Sequence, residues 1–423
     1  MNDLAALLAR QLQRELPRLP SIARARMTDA GRASRWGTIA ELREGARRAL
    51  PRMIFDFVDG AAGDEVTAGA NERDLRAIRL RPRMLVDVSD VTLSTSVLGR
   101  QIAVPLLGAP MGLCGLLHPR GEIALARALH AVGSIYVLGA MASHSMEAVS
   151  EQTQGPLWFQ MYLWRDRGLV AELLARSANC GHEALVLTVD VPRAAARDRD
   201  RRNGFGFPPR LSARTLAEGA MHPRWASRFA RDPRIEFANV AGRDGGGVDP
   251  VSASTYINSQ FDPTVTWNDL AWFREQWRGP IVVKGVLDVE DARSAVRVGA
   301  EAICVSNHGG RQLDHAPSTI SVLAPIVDAV SGEAEVYLDG GIRRGSDVVK
   351  ALALGARACL AGRPLAYGLG AAGESGARRA VQILVDELAN TLALAGMPSV
   401  GGLDASDVIL PGSGSQGSAN RLV

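Results

Sequence analysis

Val305-Ser306-Asn307-His308-Gly309-Gly310-Arg311-Gln312-Leu313-Asp314 is the stretch from which the rest of the chain can be read. It continues an apolar run, Ala300 to Val305, that reads as a buried strand. The stretch therefore lies where a parallel strand hands over to a loop. Paired glycines there let the backbone turn sharply and pass close to a ligand. They present a histidine and an arginine, three residues apart, on a rigid rim. The histidine can take a proton near neutral pH. The arginine can grip a carboxylate through two parallel hydrogen bonds. A base beside a carboxylate clamp suits the oxidation of a 2-hydroxy acid.

Working outward, short apolar runs alternate with helical patterns. The runs are Val104–Ala109, Ser134–Leu138, Leu157–Met161, Ala184–Val189, Ile281–Lys284, Ala302–Ser306, Glu335–Leu338 and Ala358–Ala361. Helical patterns between them cover Gly121–Ala131, Arg167–Cys180, Asp288–Val298, Ser318–Val330 and Gly345–Leu354. Eight such units predict a TIM (β/α)8 barrel. A doubly wound sheet would more often carry an early G-x-G-x-x-G, which is absent. Before the barrel, Thr38 to Leu50 reads as a helix opened by a capping box of Thr38 and Glu41. Pro51 to Val58 reads as a second helix with Pro in its first turn. Residues 1–37 form an N-terminal extension, with Leu4, Leu7, Leu8 and Leu12 at helical spacing. The barrel is expected over 38–410 and a tail over 411–423. The rhythm breaks once, with a long loop from about 193 to 279. Its 214–254 portion is rich in Gly, Arg and Pro and shows little periodicity, so partial disorder is expected there, with Trp225 and Phe229 among the arginines.

The chain has 423 residues, 47% of them apolar, and a formal net charge of +3, too mild to imply nucleic acid. The basic excess is local: Arg193 to Arg202 holds five arginines. Such a run is a solvated loop, or it attracts an anionic substrate or membrane surface. Cys114, Cys180, Cys304 and Cys359 form no C-x-x-C pair, and they read as reduced cysteines of a cytoplasmic protein, not as metal ligands. No run of 18 apolar residues and no signal-peptide pattern is found, so peripheral membrane contact through 214–254 is the membrane option that remains.

In a barrel, chemistry gathers at the C-terminal ends of the strands. Those ends read Pro110-Met111-Gly112, Gln160-Met161-Tyr162, Thr188-Val189-Asp190, Lys284, Ser306-Asn307-His308, Asp339-Gly340-Gly341-Ile342-Arg343 and Gly362-Arg363. The seventh and eighth suit a phosphate, through glycine N–H groups and two arginines. Lys284, closing an apolar strand, needs a negative partner. A structural ion pair would supply one, and so would a reduced flavin ring. Asp190 can orient His308 as a carboxylate orients a general base. Tyr162 and Arg197 complete a cradle for a carboxylate and a hydroxyl.

These residues together resemble the FMN-dependent α-hydroxy acid dehydrogenase family: glycolate oxidase, flavin L-lactate dehydrogenases and mandelate dehydrogenase. The resemblance rests on S-N-H-G-G-R-Q-L-D at 306–314, P-R-M-I-F-D-F at 51–57, W-F-Q-M-Y at 158–162, L-T-V-D-V-P at 187–192, V-K-G-V at 283–286 and D-G-G-I-R-R-G at 339–345. It implies FMN across the barrel mouth and oxidation of an L-2-hydroxy acid, lactate- or mandelate-like, to the 2-keto acid. His308 would be the base and Asp190 its support. Arg311, Arg197 and Tyr162 would bind the substrate. Lys284 would face the flavin, with Gln160, Thr188, Ser306 and the backbone of Pro110, Met111 and Gly112 around its rings. Asp339 would hold the ribityl chain, and Gly340, Gly341, Ile342, Arg343, Gly362 and Arg363 the phosphate end. A quinone, another carrier or O₂ would take the electrons, and a homotetramer or larger assembly is implied.

Three positions depart from the family pattern. Phe57 stands where a carboxylate-binding tyrosine is usual, Met141 where several members carry tryptophan, and Gly139 where a serine often lies near the flavin. Gly112 is shared with dehydrogenases rather than with strict oxidases. Phe57 and Met141 leave open a flavin-dependent tailoring oxidase acting on an amine, an ester or a larger hydroxy compound.

Overall fold

The eight apolar runs become eight parallel strands. They are β1 (Leu106–Gly108), β2 (Tyr136–Gly139), β3 (Leu157–Tyr162), β4 (Leu185–Thr188), β5 (Ile281–Val286), β6 (Ala302–Val305), β7 (Glu335–Asp339) and β8 (Ala358–Ala361). In this computed structural model each strand pairs with its sequence neighbours, and β8 pairs with β1, so the sheet closes into a barrel. The structure describes residues 28–206, 212–240, 256 and 259–412. The helix expected around Leu4 to Leu12, residues 241–255 of the long loop and the tail beyond 412 lie outside these. Among the described residues no helix is long and apolar enough to cross a membrane.

Two apolar cores follow from the alternation of strand side chains. The barrel interior is filled by Leu107, Val137, Trp158, Val186, Val282, Cys304, Tyr337 and Leu360. Val97 and Ile102, from a hairpin of Thr95–Val97 and Arg100–Ile102, close its lower end. This hairpin was not anticipated. Glu335 at the start of β7 ties it down, accepting from the Leu98 amide and the Tyr337 hydroxyl. The opposite faces of the strands pack against the surrounding helices.

The five expected barrel helices are found within two residues of their predicted ends. Ile39–Ala49 starts with the full Thr38–Glu41 capping box, a feature worth about 1 kcal/mol. Arg52–Asp59 follows Pro51. Among the helices missed were Val66–Ala77, Met146–Gln152, Asn268–Gln276 and the long Arg363–Leu394. The first matters most, because its Asn71 and Glu72 reach the barrel mouth.

The long loop is more regular than its composition predicts. Residues 213–220 and 223–231 are helical, opened by Ser212 and by Pro223. Trp225 and Phe229 stack with centroids 4.9 Å apart and pack against the main core. The Trp225 indole donates to the Leu116 carbonyl at 2.8 Å. Burying these rings on the barrel supplies the order that periodicity alone did not show.

Arg363–Leu394 breaks at Ala372 and Gly373, where φ is −152° and +59°. The two arms then touch backbone to backbone. A Cβ on Gly368 would lie 2.2 Å from the Gly376 carbonyl oxygen. Neither backbone can yield without moving a helix, so Gly368→Ala is expected to destabilise the protein by roughly 1–3 kcal/mol. Urea unfolding followed by far-UV circular dichroism measures this, and an unchanged midpoint would show that the arms can separate.

Candidate active site

The decisive turn follows β6. His308, Gly309 and Gly310 all take positive φ, at 58°, 64° and 75°. For histidine this left-handed backbone is uncommon and persists only where the surroundings over-determine it. Asn307 provides that constraint. Its amide and that of Asn71 bond reciprocally, both at 2.8 Å and both buried, and Asn307 Oδ1 also accepts from the Gly310 amide. The turn aims the imidazole at the end of β4, where His308 Nδ1 lies 3.0 Å from Asp190 Oδ1. A carboxylate on Nδ1 favours the tautomer with the proton there and leaves Nε2 as the acceptor.

Behind the histidine, a buried cluster joins β5, β6 and β7. Lys284 Nζ stands 2.7 Å from Asp339 Oδ2 and 2.9 Å from Ser306 Oγ. The Ser306 hydroxyl donates to Asp339 at 2.9 Å and accepts from the His308 amide at 3.1 Å. Burial alone would push the lysine down and the aspartate up. Their mutual attraction wins, so the ammonium rises above its usual range and the carboxyl falls below its own. A register shift between Lys284 and Val286 makes room for this cluster. Gly285 there has φ 114°, and a Cβ on it would meet Asp190 at 2.8 Å.

Cations dominate the far wall. Arg311 donates to the Gly60 carbonyl at 2.8 Å and lies over the Phe57 ring, 5.3 Å from its centroid. Arg197 Nε reaches the Arg311 carbonyl at 3.4 Å, and its Nη1 lies 3.7 Å from Asp200 Oδ2. Burial, then repulsion from Arg197 and Arg363, pushes the Arg311 guanidinium well below arginine's usual range. Arginine stays charged all the same. Among the described residues no carboxylate forms an ion pair with Arg311, so an anion in the cavity would meet a guanidinium without an ionic partner. Tyr162 sits nearby, its hydroxyl raised by burial and by Asp190.

At the ends of β7 and β8, Gly340 and Gly341 take φ 107° and 85°. Their missing side chains are explained by packing as well as by any ligand. A Cβ on Gly341 would meet the Asn71 carbonyl at 2.7 Å. Arg343 pairs with Glu72 at 3.1 Å. Arg363 donates to the carbonyls of Val58, Gly309 and Gly60, which stitches the helical segment before the barrel to the His308 turn. It also opens the helix Arg363–Leu394, and a helix N-terminus favours anions.

Most of these side chains border one cavity of about 750 Å³, within the range of small-molecule and cofactor sites. Phe57, Pro110, Met111, Gly112, Gly139, Gln160, Tyr162, Thr188, Arg197, Lys284, His308, Arg311, Asp339, Gly340, Gly341, Ile342, Arg343, Gly362 and Arg363 line it. Of the residues singled out from the sequence, only Asp190 and Ser306 stand behind the wall. Ser306 is fully buried, its hydroxyl engaged by Lys284 and Asp339. Asp200, Phe205 and Phe237 also face the cavity and were not singled out. Phe205 packs on Phe57 with centroids 4.4 Å apart.

The donor set fits a phosphorylated flavin. A buried ammonium, the Gln160–Thr188 pair hydrogen-bonded at 3.0 Å, and side-chain-free backbone at Gly112 and Gly139 suit the ring system. Arg343, Arg363 and glycine backbone suit a phosphate at the other end.

Residues 46–410 match the family of FMN-dependent dehydrogenases. The chain is 42% identical over 367 residues to the L-lactate dehydrogenase of Caulobacter vibrioides, covering 86% of this chain and 95% of that protein. It is 40% identical to a peroxisomal (S)-2-hydroxyacid oxidase of Arabidopsis thaliana, covering 86% and 93%. Among solved structures, the monotopic membrane protein (S)-mandelate dehydrogenase superposes with a TM-score of 0.85 at 37% identity, covering 89% of this chain and 99% of that one. A mandelate oxidase structure superposes with a TM-score of 0.74 at 40% identity, covering 86% and 97%. The barrel, the cavity and these matches agree: the chain belongs to the FMN-dependent dehydrogenase family, alongside relatives named as L-lactate dehydrogenase and (S)-2-hydroxyacid oxidase.

Proposed function

We propose that this protein oxidises an L-2-hydroxy acid to the corresponding 2-keto acid, with His308 as the base and Arg311 and Arg197 as the carboxylate clamp. The observation that carries the proposal is the placing of a carboxylate-oriented imidazole and two under-compensated guanidinium groups in one cavity. Bound there, FMN supplies the acceptor for the electron pair and hydrogen that leave the substrate's α-carbon.

The chain's own groups do the rest. Arg311 and Arg197 neutralise the substrate carboxylate and fix its orientation. His308 Nε2 takes the hydroxyl proton, and Asp190 stabilises the imidazolium that results. Tyr162 lends its hydroxyl to the substrate oxygens. Lys284 would hold positive charge beside the ring system, which as an electron acceptor gains negative charge. Gln160 and Thr188 would orient that ring, and Arg343 and Arg363 would hold the phosphate.

Leu113, Met141, Phe205, Phe237 and Phe261 give the substrate end an apolar wall, which suits a lactate- or mandelate-like side chain. Phe57 supports the second reading, a larger or non-standard substrate. Its ring meets Arg311 through its face and offers no hydroxyl to a carboxylate. A peripheral membrane contact through 214–254 would rest on the arginines and on exposed Met221, because Trp225 and Phe229 pack inward.

The deciding experiment is an anaerobic visible spectrum of the FMN-loaded protein before and after L-lactate or L-mandelate. Flavin absorbance is expected to bleach with one of them, and a flavin that stays oxidised with both would move the substrate to the larger compounds. His308→Gln should keep FMN yet lose about 10²–10⁴-fold in the rate of flavin reduction, the usual worth of a general base. Stopped-flow reduction measures it, and a loss under tenfold would remove His308 from the role. Phe57→Tyr restores a hydroxyl near Arg311. It should lower KM for the hydroxy acid by about two- to tenfold, the range of one added hydrogen bond. A raised KM would mean that the ring face serves the native substrate.

A further inference from the structure

Three charged groups face the substrate end of the cavity beside His308: Arg197, Arg311 and Asp200. Asp200 follows Arg197 in the short helix Asp198–Asn203, is mostly buried, and holds Oδ2 3.7 Å from Arg197 Nη1. That helix is pinned on its outer side. Arg199 bonds to Asp59 at 2.8 Å, and Asn203 donates to Asp56 at 2.7 Å. The Asp200 carboxylate is therefore fixed in place.

The other acids around the cavity are already committed. Asp339 pairs with Lys284 and Asp190 with His308. Asp198 pairs with Arg201 at 3.2 Å on the exposed rim. Asp56 lies further back, beside Arg199 and Arg52. Arg363 also neighbours Arg311, but it is turned to the carbonyls of Val58, Gly309 and Gly60 and is assigned above to the phosphate. At the substrate end two guanidinium charges thus face one carboxylate charge, leaving a net of one positive charge. A single substrate carboxylate balances it. A second carboxylate would be desolvated with no partner and would also be repelled by Asp200.

We propose that Asp200 is the specificity-determining residue that restricts this site to 2-hydroxy acids bearing one carboxylate, by cancelling one of the two arginine charges. The proposal rests on the carboxylate-clamp reading of Arg197 and Arg311 given above. It excludes dicarboxylic 2-hydroxy acids by charge, where the apolar wall alone would exclude them by solvation.

The test uses two isosteric anions, oxamate with one charge and oxalate with two, titrated into the FMN-loaded protein and followed by flavin absorbance. In Asp200→Asn the ratio of dissociation constants should shift in favour of oxalate by about tenfold or more, the scale of one unit charge removed a few ångströms away. Asp200→Glu keeps the charge and should keep the wild-type ratio. A residue that merely props the loop would weaken both anions equally, and that result would overturn the proposal. So would equal behaviour of the Asn and Glu variants, or a wild-type flavin that responds to neither anion. Bleaching of the wild-type flavin by L-lactate or L-mandelate reports separately on the hydroxy acid reading, so the two can fail independently.

Discussion

An ammonium and a carboxylate buried together at the barrel mouth set the terms for everything around them. Taking Lys284 and Asp339 out of water costs several kcal/mol per ion, and a buried pair often does no better than an apolar substitute. Here the geometry is close, and Ser306 satisfies both partners. The same serine hydroxyl accepts from the His308 amide, so the ion pair and the histidine turn are parts of one construction. The cost is understandable if a charge is wanted at that point of the cavity, because a packed core alone would have used leucine.

Much of the site was legible because barrel chemistry is local to strand ends. Lys284, His308, Asp339 and Arg363 each close or follow an apolar run, and the alternation of runs and helices located all eight strands. What the sequence hid were the partners brought from far away in the chain. Asn71 holds Asn307, Glu72 takes Arg343, and Asp59 binds Arg43, Arg199 and Tyr367. Each is one polar residue on a helix with no pattern to mark it. Gly340 and Gly341 were read for their exposed amides, yet their bare Cα atoms are also demanded by the helix Val66–Ala77 lying against them.

The long loop shows the opposite error. Its Gly, Arg and Pro content masked two helices, because their order comes from burying Trp225 and Phe229 on the barrel and not from an apolar stripe of their own. Tertiary contact supplied what propensity withheld. Arg197, by contrast, was singled out by its type and its place after β4 and does line the cavity, although nothing in the sequence revealed the acid that accompanies it.

The two arginines of the proposed clamp stand on different kinds of support. Arg311 rides on the His308 turn, locked by buried amides and by Arg363. Arg197 belongs to the long excursion between β4 and β5, and it meets Arg311 through a single 3.4 Å contact to its backbone. The helix that follows Arg197 is already docked on the helix Arg52–Asp59 through Arg199 and Asn203. An anion that engages both arginines would bridge this docked segment to the His308 turn, and by linkage the docking and the anion would strengthen each other by the same free energy. Asp56 and Asp59 thus acquire an influence on the cavity from outside it, through the segment they hold.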